Sequence, residues 1–292
     1  MTEGLNVVVD IRARIGEGPC WDAENELLYW VDIMENQIHI HDAKTNENRT
    51  IQADQHVGAV VLRQLGGVAL AMEHGFYTMD LQTEQFTFIG DPEADLPGNR
   101  FNDGKCDAAG RFWAGTMNYN GVGHTGFLYC LEPNHTIRKV VDGVAISNGL
   151  TWSVDHKIMY YIDSVTKQVA AYDYDLSTGG ISNRKIVITI PENGGLPDGM
   201  TLDAEGMIWI AQWGGYQVSR WNPHTGQQID SIQLPVSQVS SCTFGGEHMD
   251  VLYITTATNG LDSQALLAEP LAGSLFSIKT KVKGVPSYKF GG

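Results

Sequence analysis

Four polar residues recur at related places in this sequence, each beside a glycine. Glu17-Gly18 lies five residues before Asp22, Asp198-Gly199 five before Asp203, and Asn102 five before Asp107 with Asp103-Gly104 following it. Asn148-Gly149 lies seven before Asp155, a slightly longer approach. Two carboxylates and two amides make an oxygen-rich set. Such a set suits hard divalent cations such as Ca²⁺, Mg²⁺ or Mn²⁺, and Zn²⁺ also accepts carboxylates. A glycine after the polar residue lets the backbone bend and lets a ligand approach closely. Any one of these dipeptides alone is an ordinary turn. Four at matched positions favour a site, provided the surrounding elements bring them together.

Those elements form an internal repeat. Cys106-Asp107-Ala108-Ala109-Gly110-Arg111-Phe112-Trp113 matches Leu202-Asp203-Ala204-Glu205-Gly206-Met207-Ile208-Trp209. Each reads as a strand, an Asp-x-x-Gly turn and a second strand opening with an aromatic residue. Val154-Asp155 through Tyr160 reads as the same unit without the turn glycine, with Asp155 midway between Asp107 and Asp203. Trp21-Asp22 through Trp30 opens the series, Leu65 to Leu70 is a weaker copy, and Phe244 to Ile254 closes it, making six units. Further strand-like runs follow within each unit. Units of about 40–50 residues with about four short strands are propeller blades. The expected architecture is therefore all-β: one domain spanning 1–292, a six-bladed β-propeller with four-stranded blades around a central channel. Val7 to Ile11 is expected to pair into the last blade and close the ring without an exposed edge. The stretch from Asp262 to Ala268 is the one candidate for a short helix. In such a ring Glu17, Asn102, Asn148 and Asp198 converge at one mouth of the channel.

Composition narrows the partners. A formal net charge of -15 repels phosphate backbones, so nucleic acid is not expected. No apolar run approaches the ~20 residues of a membrane span, and the first ten residues lack a basic segment followed by a long apolar one. The four cysteines form no CxxC pair, which removes a zinc ribbon. The expectation is a cytoplasmic protein with reduced thiols and no obligate protein partner.

At these motifs the chain resembles the family of senescence marker protein (regucalcin), gluconolactonases and luciferin-regenerating enzymes, and it is close to the regucalcin branch. The resemblance rests on Gly16-Glu17-Gly18-Pro19, Arg100-Phe101-Asn102-Asp103-Gly104-Lys105, Ala114-Gly115-Thr116-Met117, Ser147-Asn148-Gly149-Leu150, Pro197-Asp198-Gly199-Met200 and Ser241 to Gly246. It covers nearly the whole chain. It implies one divalent metal ion (Ca, Zn, Mn, Mg or Fe) held by Glu17, Asn148 and Asp198. It implies substrate contacts from Arg100 and Asn102, and a general base at Asp198. Regucalcin-like members carry a sugar-contacting carboxylate on the loop after Gly-Thr-Met; here Asn118 to His124 has no acid. Asn118, Tyr119 and Asn120 are its candidates for contacting sugar hydroxyls. Trp213, at a probable inner strand end, is a candidate for lining the pocket, ranked above Glu73-His74.

The function these readings describe is a metal-dependent hydrolase that opens a small-molecule sugar lactone, an aldonolactone, to its acid. Water attacks the carbonyl, Asp198 takes its proton, and Arg100 holds substrate oxygens. The alternative is a calcium-binding regulatory protein of regucalcin type without catalysis. A scaffold propeller has no need for the convergent oxygen cluster, and phosphotriester or aryl ester hydrolysis is a minor option. Gly121-x-Gly123-x-x-Gly126 opens no helix and is read as a loop, not a dinucleotide fingerprint. Asp173-x-Asp175-x-Ser177 has Thr178 where a calcium loop needs glycine and is read as a blade turn. Neither HExxH nor GxSxG occurs.

Overall fold

A computed structural model describes residues 2–121 and 123–292. Met1, part of the N-terminal segment read above, and Val122, part of the Asn118–His124 loop, lie outside the described residues. The chain forms six four-stranded antiparallel sheets arranged as a six-bladed propeller. The innermost strands are Gly16–Asp22, Val57–Leu62, Asn99–Cys106, Ser147–Trp152, Leu196–Leu202 and Val239–Gly245. In the first five blades, strands follow outward in chain order. The sixth is completed by the N-terminal strand Asn6–Asp10, which pairs with Ser274–Lys279 as expected. The short helix spans Ser263–Ala268, and its N-cap Asp262 accepts from the backbone N–H groups of Gln264 and Ala265. Among the described residues no helix is long and apolar enough to cross a membrane, and all four cysteines are free and buried.

The inner strands are too short to carry a core alone, so apolar faces are buried between blades. Six clusters result, one at each blade–blade junction; Trp113 and Leu128 of the third blade meet Leu150 and Trp152 of the fourth, for example. Fully buried large side chains of this kind contribute roughly 1.5–3 kcal/mol each. Because the core lies between the blades, the axis remains free for polar groups.

The sequence repeat is visible atom by atom. Asp107 Oδ1 accepts from the N–H groups of Ala109 and Arg111, and Oδ2 from Trp113 Nε1 at 2.9 Å. Asp203 does the same with Glu205, Met207 and Trp209. Asp155 is not their counterpart. Ser153 is, five residues after Asn148: its N–H donates to Ile158 O and its carbonyl accepts from His156 N–H. Its hydroxyl takes the N–H groups of Lys157 and Ile158, while Asp155 lies exposed two residues on. The longer approach from Asn148 was thus a misplaced landmark. A turn one residue longer had moved the acid.

The last eleven residues cross the channel's far end. Gly284 N–H donates to Met249 O, Ala204 N–H to Lys283 O, Phe290 N–H to Leu62 O and Gly291 N–H to Gly110 O. Lys289 pairs with Glu24 at 2.9 Å, and Tyr288 O–H reaches His156 Nε2 at 3.4 Å. This strap touches every blade, with Phe290 fully buried.

Candidate active site

Every inner strand breaks register with its neighbour near its start. The breaks fall between Glu17 and Cys20, Val57 and Ala59, Phe101 and Gly104, Ser147 and Leu150, Pro197 and Met200, and Val239 and Ser241. A bulge leaves residues unpaired and re-aims their side chains. Asn102, Asn148 and Asp198 are the first unpaired residues of their bulges, whereas Glu17 is the last paired residue before its own. All four line one cavity of about 420 Å³. The four residues do converge, and they do so at the bulges of four inner strands.

Some of the neighbouring glycines do a further job. A Cβ on Gly149 would meet Asp198 O at 2.7 Å and Met200 N at 2.9 Å, both on the next blade. A Cβ on Gly199 would collide with Ser241, and one on Gly58 with the carbonyl oxygens of Phe101 and Asn102. Glycine lets adjacent bulges approach each other; Gly18 alone of the bulge glycines needs positive φ, at 53°.

Hydrogen bonds fix the amides. Arg100 can only donate, and its Nη1 donates to Asn102 Oδ1 at 2.8 Å. Asn102 Nδ2 donates to Ser147 O at 2.8 Å and to Asn148 Oδ1 at 3.0 Å. Asn148 Nδ2 donates to Ser164 Oγ at 2.8 Å. This chain settles which way each amide faces. Both amide hydrogens of Asn102 are committed within the protein, so toward a ligand it offers one lone pair and otherwise orients Asn148.

Charge is crowded here. Glu17, Asp103 and Asp198 are buried together; Arg100 opposes the charge of Glu17 and Asp198, and Lys105 that of Asp103. Burial and then Asp103 push the Glu17 carboxyl up to about 8. Asp198 is raised well above the ordinary carboxylate range by burial, then by Glu17 and Asp103, with Arg100 opposing. Asp103 is raised by burial, and burial lowers Arg100. Among the described residues no three His, Cys, Asp or Glu side chains are placed to hold a metal by themselves. A cation would need the mixed set of Glu17, Asp198 and the Asn148 amide oxygen. That set fits a hard divalent ion, because every donor is oxygen and the excess negative charge is what such an ion offsets.

Tyr119, Asn120 and Trp213 line the cavity as expected. Asn118 does not; its Oδ1 accepts from Asn120 N–H at 3.0 Å and holds the turn. Glu73 and His74 do not line the cavity. Sequence reading missed Ser164 and Asn259 on the cavity wall, with the apolar collar of Ile15, Met34, Met117, Ile146 and Leu196, and Asp103 as a charge acting on Glu17 and Asp198. Asp103 was legible as the second acid of Asn-Asp-Gly. Ile15, Met34 and Ile146 of the collar lie on connections and Met117 and Leu196 near strand ends, where no period marks facing direction.

The model of the SMP-30/gluconolactonase/LRE-like region matches residues 15–258. Regucalcin of Homo sapiens is 40% identical over 294 residues, covering 99% of this chain and 98% of that protein. A putative sugar lactone lactonase, YvrE, of Bacillus subtilis (strain 168) is 40% identical over 283 residues, covering 97% of each. A solved luciferin-regenerating enzyme superposes with a TM-score of 0.93 at 31% identity, covering 98% of this chain and 99% of that one. With a full ring of six blades, the bulged oxygen cluster at its mouth and these matches, the chain belongs to the SMP-30/gluconolactonase/LRE-like family.

Proposed function

We propose that this protein is a divalent-metal-dependent hydrolase of sugar lactones. The observation that carries the reading is the convergence of Glu17, Asn148 and Asp198 with Arg100 in one cavity. The lactonase and gluconolactonase names in the family agree with it. Glu17, Asn148 and Asp198 would hold the metal, with Ca, Zn, Mn, Mg and Fe as the candidates. When bound, the ion supplies Lewis acidity toward the lactone carbonyl and toward water.

The chain's own residues account for the rest. Arg100 has committed only Nη1, to Phe101 O and Asn102 Oδ1. Its remaining N–H groups hold the carbonyl or ring oxygen of the lactone. Asp198 takes the proton from the attacking water and returns it to the leaving alkoxide, so the ring opens to a hydroxy acid. Asn102, locked between Arg100 and Asn148, holds the Asn148 oxygen in place. The apolar collar excludes water from around the ester.

The test is turnover of an aldonolactone with and without chelator. The expected result is a rate abolished by chelation and restored by one member of a panel of divalent metals. Calcium binding with no turnover of any lactone under any metal would instead support the non-catalytic regulatory reading.

A further inference from the structure

Beyond the bulges, the inner strands carry a second set of matched positions. Lys105, Thr151 and Thr201 lie three residues after Asn102, Asn148 and Asp198. Each is paired across its sheet with an aromatic residue, Trp113, Tyr160 and Trp209 in turn. Thr243 of the sixth blade is paired with Tyr253 in the same way. The first two blades carry Cys20 and Val61 at this position. One side of the set is therefore polar, made of a cation and three hydroxyls from four successive blades.

Those four side chains line a single cavity of about 130 Å³ at the far mouth of the channel. It shares no residue with the cavity that holds Glu17 and Asp198. Ser287 of the C-terminal strap closes over it. Thr151, Thr201 and Thr243 are at most 6% exposed. Among the described residues no protein group is hydrogen-bonded to their hydroxyls. Lys105 Nζ donates to Met200 O at 2.7 Å, which uses one of the three N–H groups of an ammonium. No carboxylate lines the cavity; Asp103 shares a smaller adjoining one with Lys105.

Buried donors require acceptors. A set of hydroxyl oxygens alone would also suit a hard cation. Here the Lys105 ammonium stands within the set and repels one. An oxyanion answers both features, because its oxygens accept from the ammonium and from the hydroxyls together, in charge-assisted bonds. An acid-free pocket around a half-buried lysine is also the reverse of what a net charge of -15 leads one to expect.

We propose that the far mouth is a binding site for a small oxyanion, held by Lys105, Thr151, Thr201 and Thr243 and capped by Ser287. Inorganic phosphate and a short carboxylate share this chemistry. The site is independent of the lactonase reading, since none of its residues belongs to the catalytic cavity.

The test is calorimetric titration of the whole chain, stripped of metal by chelator, with sodium phosphate and with sodium acetate. Ionic strength is held constant with chloride. The wild type is expected to bind one anion per chain. Lys105→Met should weaken that binding at least about tenfold, through loss of a charged donor. Thr243→Val, which keeps the side-chain shape, and Ser287→Ala should each weaken it about threefold to tenfold. Arg100→Ala, in the other cavity, should bind like the wild type. Tighter phosphate identifies a tetrahedral anion and tighter acetate a carboxylate; either supports the site. Binding of neither anion overturns the proposal. So does binding that is lost in Arg100→Ala and kept in Lys105→Met, which would place the anion beside Asp198 instead. Should Lys105→Met fail to fold, Thr243→Val and Ser287→Ala decide, and unaltered affinity in both overturns the site.

Discussion

Asp198 carries two demands, as a ligand with charge and as a base with proton affinity. Asp198→Asn keeps the shape and an oxygen donor but removes both, so turnover should fall by at least about 10²–10⁴-fold and metal affinity should weaken. Glu17→Gln removes charge alone; excess metal should restore part of the activity. Arg100→Ala should behave oppositely, with turnover lost and metal affinity kept or tightened, because the guanidinium opposing the charge of Glu17 and Asp198 is gone. Calorimetric metal titration alongside lactonase rates distinguishes the three. Near-normal turnover of Asp198→Asn at saturating metal would remove the base assignment. The acid-free loop bears on the substrate at the same scale. With no carboxylate on its described residues, several five- and six-membered sugar lactones should be turned over at comparable rates, and a hundredfold preference for one would count against it.

At the scale of elements, the turns and buried strand faces carry stability. Asp203 is fully buried and holds two N–H groups, Trp209 Nε1 and Arg220. Asp203→Ala leaves two turn N–H groups and the buried Trp209 indole N–H without their acceptor, while Arg220 keeps Glu205 at 2.6 Å, and should cost about 1–3 kcal/mol in denaturant unfolding. Asp155→Ala, at a position that looks equivalent in the sequence, should stay within about 0.5 kcal/mol because that carboxylate is exposed. His39 gives a pH signature. It lies buried on the strand Gln37–Asp42 against Trp30, and burial lowers its pKa to about 4 from the ordinary 6.5. The folded chain therefore holds it neutral while the unfolded chain binds a proton below about 6.5. Its stability contribution is complete above that pH and is lost as pH falls toward 4, at up to about 1.4 kcal/mol per pH unit. His41, lowered for the same reason, adds to this. Unfolding measured between pH 7 and 4 should show a shallower acid limb in His39→Gln.

At the scale of the molecule, closure comes from both ends. The N-terminal strand completes the sixth blade, and the C-terminal strap lies across the far end of the channel, over Cys20 and Cys106. Phe290→Ala should cost about 3–5 kcal/mol. Removal of residues 282–292 should lower the melting temperature further and make Cys20 and Cys106 reactive toward a thiol reagent that does not reach them in the whole chain. Unchanged thiol reactivity after truncation would show that the strap is not the seal.

The blade count, the four strands of a blade and the closing N-terminal strand were determined by the sequence itself. A propeller repeats one local unit, and its turns and aromatic strand starts recur along the chain. Glu17, Asn102, Asn148 and Asp198 were legible for the same reason, as polar residues at one place in the repeat. Tertiary structure decided what no period encodes. It put the real turn landmark at Ser153, since one added turn residue shifts every later match. It assigned the glycines to contacts between blades, turned Asn118 away from the cavity, and set Asp103 beside Glu17 and Asp198. It packed Tyr119 of the third blade against His56 and drew the last eleven residues over the far mouth. Each of these is a contact between segments remote in sequence, fixed by how six wedges pack around an axis rather than by any residue's neighbours along the chain.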